Sequence, residues 1–519
     1  MKKSIIAVLL VLATLFTLAS CASKGLNSEA EIGDILDGGN GKYYPSMDGD
    51  MAETEAILEE NAPEIPAEDY GKFIENSFIS TEVENVSTFA ADVDTASYSY
   101  FRRLVNAGYD IDELIATAGN SIRTEEMINY FDYGYESPSD DELFSTQMQI
   151  AACPWNEEAQ LLVLGLQAKE IELAAKNNLV FLIDVSGSMN SADKLGLLKT
   201  AFTHLTDKLG EDDVISIVTY SGNEKVALKG CSGAKKEKIL DAVKTLEAKG
   251  STNGEAGLQK AYQIAEEYFI EGGNNRIIMA SDGDLNVGIS SAEELEKYIS
   301  DKRESGVFLS VLGFGTGNYK DDNMETLANC GNGVYYYIDS ETEAEKVFGE
   351  DLFSTLYTIA KDVKLQLTFD KSAISKYRLV GYENRLLNKE DFKDDTKDAG
   401  ELGAGHSLTV CYEIVLTETA LESENAWMTL GVRYKAPDGE KSEENNYSFG
   451  KEVYTDAPDD NFKFICAVVE TSMILHKSEY IKGVEFEDIK AELDALSLGS
   501  DEYKVQFRGL IGKLIGNSK

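Results

Sequence analysis

The feature that most constrains this chain is a regular alternation between residues 177 and 360. Short apolar runs of strand length take turns with longer amphipathic stretches of helical period. The runs fall at 179–183, 213–220, 277–280, 307–314 and 334–338; the amphipathic stretches fall at 194–209, 235–246, 254–269, 292–304, 324–329 and 342–357. A run apolar at every position suits a strand buried on both faces, and a helix after it returns the chain to a parallel neighbour. Right-handed crossovers then place helices on both sides of the sheet. The expectation is α/β, a doubly wound and mostly parallel sheet.

In open sheets of this kind ligands bind where the loops gather at the carboxyl ends of the strands. Three loops placed there carry hard oxygen donors. Asp184, Ser186 and Ser188 lie in Asp184-Val185-Ser186-Gly187-Ser188, directly after the first strand. Thr252 lies in Gly250-Ser251-Thr252-Asn253-Gly254 between two helices, and Asp282 follows the strand 277–280. Carboxylates and hydroxyls on so short a leash suit Mg²⁺ first, with Mn²⁺ and Ca²⁺ as alternatives, rather than a soft metal. The plain alternative for the pentapeptide is a helix entry capped by Ser186 or Ser188. Asp284, nearby, reads as an exposed loop acid.

Beyond 360 the apolar period becomes two. Val363, Leu365, Leu367 and Phe369 alternate with polar residues, and 408–416 and 428–434 repeat the pattern, as expected of an antiparallel sandwich. Upstream, 144–150 and 161–166 read as strands without partners of their own. Both flanks are therefore expected to build one β-rich domain around the central insertion. Helices are expected at 98–107 and 124–130, and in the tail at 462–476 and 501–514.

The amino terminus has its own signature. Lys2 and Lys3 precede an apolar stretch at 5–18 and then Leu18-Ala19-Ser20-Cys21. The stretch is short for a membrane span and has the flanks of a signal peptide. Leu-Ala-Ser-Cys looks like a lipobox, cleaved before Cys21, which then carries the lipid; an ordinary secretory signal is the alternative. Residues 22–70 hold thirteen acidic and two basic residues and three of the seven prolines, a composition that cannot bury enough apolar surface to fold. The expected division is a signal peptide (1–20), an acidic flexible stalk (21–70), a flanking α/β region (77–176), the central domain (177–360), a β-rich domain (361–456) and C-terminal helices (457–519). The mature protein is expected outside the cytoplasm, tethered to the bacterial cell membrane.

A net charge of −44 argues against nucleic acid and against adsorption to anionic lipid, since both need clustered Lys and Arg. Besides Cys21 the cysteines are Cys153, Cys231, Cys330, Cys411 and Cys466, widely scattered and without a Cys-x-x-Cys pair. Single buried thiols are expected rather than a zinc or dithiol redox site.

These segments resemble a family of bacterial von Willebrand factor type A lipoproteins. The resemblance rests on Thr88-Phe-Ala-Ala-Asp-Val-Asp-Thr-Ala-Ser-Tyr98, Arg123-Thr-Glu-Glu-Met-Ile-Asn-Tyr-Phe131, Asp282-Gly-Asp-Leu-Asn-Val-Gly288 and Gly313-Phe-Gly-Thr-Gly-Asn318. It continues through Tyr377-Arg-Leu-Val-Gly-Tyr-Glu-Asn-Arg385 and Asp398-Ala-Gly-Glu-Leu-Gly-Ala-Gly-His406, so it covers nearly everything after the stalk. It implies a Rossmann-like central domain and a metal-ion-dependent adhesion site at Asp184, Ser186, Ser188, Thr252 and Asp282. In such a site the serines and often the threonine bind the metal directly, and the aspartates act largely through water. A protein partner then completes the metal's shell with an exposed Asp or Glu. The resemblance implies no enzymatic activity.

Two other function classes stay in view. One is a scaffold whose metal is only structural. The other is a Mg²⁺-dependent hydrolase: Asp92-Val93-Asp94-Thr95 resembles the phosphatase Asp-x-Asp-x-Thr motif, but position 96 is Ala. That stretch reads instead as structural, with Thr95 or Ser97 capping a helix. His204, His406 and His476 stand in no Gly-x-Ser-x-Gly or His-Glu-x-x-His context, so hydrolytic chemistry has no support.

Overall fold

The computed structural model describes residues 74–519, apart from 140, 171–175, 252–253, 284–291, 316–320, 352–356, 438 and 440. The leader, Cys21, the stalk, Thr252 and Asp284 thus lie outside the described residues. All that follows concerns the compact unit Ile65–Lys519. Among the described residues no helix is long and apolar enough to cross a membrane.

The first flank supplies strands β1 (Ile79–Ser80), β2 (Val86–Ala90), β3 (Phe144–Ala152) and β4 (Gln160–Ala168). The central region follows with β5 (Asn177–Asp184), β6 (Val214–Tyr220), β7 (Lys225–Ser232), β8 (Asn274–Ser281), β9 (Phe308–Phe314) and β10 (Tyr335–Ile338). The second flank adds β11 (Thr358–Phe369), β12 (Ile374–Val380), β13 (Gly400–Gly403), β14 (Ser407–Leu416), β15 (Met428–Lys435) and β16 (Ser442–Phe449).

The central sheet has the order β10-β9-β8-β5-β6-β7, parallel throughout except for β7. Every residue of β5 and β8 is buried, as strands covered on both faces must be. Side chains alternate between the faces. Leu179, Phe181 and Ile183 join a core with the helices Leu197–Lys208 and Lys236–Lys244. Val180 and Leu182 join the opposite core with Gly254–Glu267 and Ala292–Arg303. This is the doubly wound α/β domain read from the alternation.

Two local departures have physical reasons. β7 went unread because an edge strand half open to solvent carries Lys225 and Lys229 among its apolar residues. The helix expected from Lys194 begins at Leu197; Ala192–Gly196 form a wide turn with Lys194 at φ −117°, ψ −105°, outside helical geometry.

The flanks share two antiparallel sheets. One runs β1-β12-β14-β4-β3, so strands from opposite sides of the insertion lie next to each other. The other runs β13-β11-β15-β16, with β2 also paired to β11. Leu162, Leu164 and Leu166 of β4 face the second sheet through Leu365, Leu367 and Leu430. Leu161 and Val163 face the other way, into a core with Phe464 and Val468 of the helix Asp460–Leu475. Two further C-terminal helices, Phe486–Ala495 and Glu502–Asn517, complete that layer; the first lies within the expected helical tail, between the two stretches picked out there. Cys153, Cys231, Cys411 and Cys466 are buried free thiols, and Cys330 is half-buried and also free.

Candidate metal centre

The strand order reverses between β5 and β8: the chain leaves β5 to one side for β6 and later returns on the other side as β8. That reversal opens a crevice at the carboxyl edge of the sheet. Asp184 is the last residue of β5, and Asp282 follows the last residue of β8, on the neighbouring parallel strand. Register alone therefore brings two carboxylates to one point, both buried.

The loop after β5 is folded around Asp184. Its Oδ1 accepts the backbone N–H of Ser186 at 2.7 Å, and the hydroxyls of Ser186 and Ser188 lie 2.8 Å apart. Ser186 precedes the short turn Gly187–Met189, but its side chain makes no capping hydrogen bond there, so the helix-entry alternative does not describe these serines. Lys249 and Gly250, the described residues shortly before Thr252, are joined to the same loop. Gly187 N–H donates to Gly250 O at 3.0 Å, and Lys249 N–H donates to Val185 O at 2.7 Å. Gly250 reaches this contact at φ +92°, a conformation that favours glycine.

Two observations test whether a cation fits. Among the described residues Asp282 Oδ1 is buried and has no hydrogen-bond partner, while Oδ2 accepts the Lys194 ammonium at 2.9 Å. An orphaned buried carboxylate oxygen costs about 1–3 kcal/mol unless something positive or protic meets it. Burial also pushes the Asp184 carboxyl up to about 6, against the opposing hydrogen bonds from Ser186. A divalent ion would relieve both strains, and the donors are hard oxygens throughout. The residues present fit the group.

The chain matches the von Willebrand factor type A domain over residues 178–350, and a family described as von Willebrand factor over 64–163. Residues 354–515 match the family described as uncharacterized protein YfbK, C-terminal. YfbK of Escherichia coli K12 is 37% identical over 448 residues, which cover 81% of this chain and 76% of that protein. The chain belongs to this bacterial von Willebrand factor type A family. Human inter-alpha-trypsin inhibitor heavy chain H3 is 28% identical over 264 residues, 46% of this chain and 29% of that protein. Among solved structures, von Willebrand factor type A from Catenulispora acidiphila aligns over 75% of this chain and 88% of its own at 18% identity, with a TM-score of 0.40.

The von Willebrand factor type A domain here is bound to its flanks by ion pairs that sequence reading missed. Arg385, on the second flank, reaches Asp92 at 2.6 Å and both Asp94 and Glu325 at 3.3 Å. Arg123 reaches Glu325 at 2.7 Å. Asp92, Asp94 and Glu325 each offer an oxygen within 4.8 Å of the others, a spacing a metal could use. Here guanidinium groups take those oxygens, and Asp94 Oδ1 also accepts the backbone N–H of Tyr335 on β10 at 2.9 Å. The Asp92-Val93-Asp94-Thr95 stretch is thus a clamp between modules. The helix Ala96–Ala107 begins at Thr95 without a side-chain cap, and Ser97 donates instead to Glu126 at 2.8 Å, so neither capping expectation holds. A second clamp joins Arg102 to Glu343 at 2.7 Å and to Asp339, with the Tyr130 hydroxyl donating to Glu343 at 2.7 Å. The only sequence signal for either clamp was the run of charged and hydroxyl residues in the two N-terminal motifs. Their partners lie more than two hundred residues away.

Proposed function

We propose that this protein, tethered outside the cytoplasm through a lipid on Cys21, binds a protein partner through a divalent cation. Asp184, Ser186, Ser188, Thr252 and Asp282 hold the cation, Mg²⁺ first. The observation that carries the reading is the convergence of two serine hydroxyls and two buried aspartates, one with an unpartnered oxygen, at the sheet's switch point. The family supports it as well, because von Willebrand factor type A domains commonly use this loop set for protein binding. The serine and threonine hydroxyls are neutral ligands, so they leave most of the cation's charge unbalanced. An exposed Asp or Glu of the partner would supply the further hard oxygen that such a cation takes. Asp282 would face the cation with Oδ1, because Oδ2 is held by Lys194.

The negative chain slows an acidic partner at long range, but the Debye length is about 8 Å at physiological salt, so a contact at the metal itself survives. The test is a pull-down of solubilised envelope proteins on the immobilised protein in Mg²⁺, eluted with EDTA. A protein released by EDTA and missed by Asp184→Ala supports the reading. Recovery of the same proteins with and without metal contradicts it in favour of a metal-independent scaffold.

A further inference from the structure

Lys194 lies outside the expected ligand set, yet the backbone is bent out of helical geometry to deliver it to the site. Its Nζ donates to Asp282 Oδ2 at 2.9 Å and to Ser188 O at 3.1 Å, and only 10% of the side chain is exposed. Its stem lies under Gly315, where an added Cβ would come within 2.0 Å of Lys194 Cε. The residue is therefore held from three sides: by Asp282, by the Ser188 carbonyl and by the close approach of the Gly315 backbone.

We infer that Lys194 is the built-in counter-cation of the metal centre and sets its affinity. This rests on the metal reading above. The ammonium occupies one oxygen of Asp282, leaving Oδ1 for the metal's shell, and it stands in the electrostatic field of the incoming divalent ion. Two like charges a few ångströms apart in a partly buried site repel strongly, so a fixed ammonium weakens metal binding. It also changes the balance of the loaded centre. Asp184 and Asp282 would cancel a divalent ion, and Lys194 would leave the centre with one net positive charge. A carboxylate partner is thus attracted at short range despite the chain's overall charge, and the metal stays exchangeable rather than locked in.

The experiment is isothermal titration of Mn²⁺ into the full protein and its Lys194→Met, Lys194→Gln, Lys194→Arg and Asp184→Ala variants, with circular dichroism to establish folding. Met preserves the stem and Gln preserves a donor, so one of the two keeps the site intact if the other does not. The expected result is about tenfold tighter Mn²⁺ binding in the neutral variants and near-wild-type binding in Lys194→Arg, which keeps the charge. Equal or weaker binding in a folded neutral variant, with wild type still binding and Asp184→Ala not, overturns the role of Lys194 alone. Absence of Asp184-dependent binding in wild type overturns the metal reading and this inference together.

Discussion

Two of the clusters of buried carboxylates among the described residues are opposites. At Asp92, Asp94 and Glu325 the acids are close enough to share a metal, but Arg385 and Arg123 already take their oxygens. At Asp184 and Asp282 there is one ammonium, two facing serine hydroxyls and a carboxylate oxygen with no partner. The first cluster is balanced by the chain itself, which supplies a donor to every carboxylate oxygen, and it spends its charge on joining modules. The second is left under-balanced by one oxygen of Asp282, and that is what makes a ligand site. Neither proximity of acids nor the count of cations, one short of the acids in each cluster, separates the two; the oxygen left over does.

Removing a cation from the balanced cluster sharpens that contrast most. Arg385→Met takes the guanidinium from buried Asp92 and Asp94, while Arg123 still holds Glu325, and is expected to cost about 3–5 kcal/mol, read as a large fall in the denaturation midpoint. Arg102→Met cuts the second clamp, where Arg102 is 2% exposed and its partners Asp339 and Glu343 are also buried. Its expected cost is similar or slightly smaller, at about 3 kcal/mol, with hydrogen exchange rising first in the Glu341–Lys346 helix. A midpoint unchanged in both variants would break the comparison.

A smaller effect comes from an acid with no cation at all. Glu470 is buried in the helix Asp460–Leu475, its Oε2 has no partner, and burial with the nearby Glu492 and Asp488 pushes its carboxyl up to about 8. The unfolded chain titrates it near 4.3, so the folded state holds the extra proton between those values. Its contribution to stability is full below that window and is lost as pH rises through about 8. Glu470→Gln should therefore stabilise the protein at pH 9 and change it far less at pH 5, read in urea melts at the two pH values. The smallest effect falls on the under-balanced site. Without metal, Asp184→Ala is expected to stay within about 1 kcal/mol of wild type, while the rise in melting temperature on adding Mg²⁺ disappears.

The central sheet was legible because a strand buried on both faces must be apolar at every position, and Leu179-Val180-Phe181-Leu182-Ile183 says so directly. The two aspartates were legible for a related reason, since each ends such a run. β7 was not, because an edge strand tolerates lysines, and its pattern matches a surface loop as well as a strand. Lys194 was hidden by periodicity: it sits in step with the helix that follows, and only the backbone bend at Ala192–Gly196 shows that its side chain belongs to the loop. The arginine clamps were unreadable for lack of range. Nothing local to Asp92 or Arg102 points to Arg385 or Asp339.

The most direct test of the account is a crystal of the protein soaked in Mn²⁺, with anomalous diffraction measured at the manganese edge. The account predicts a peak bonded to the hydroxyls of Ser186 and Ser188, between Asp184 and Asp282, and none among Asp92, Asp94 and Glu325. A peak in the arginine-filled cluster, or no peak at the serines at saturating Mn²⁺, would contradict it.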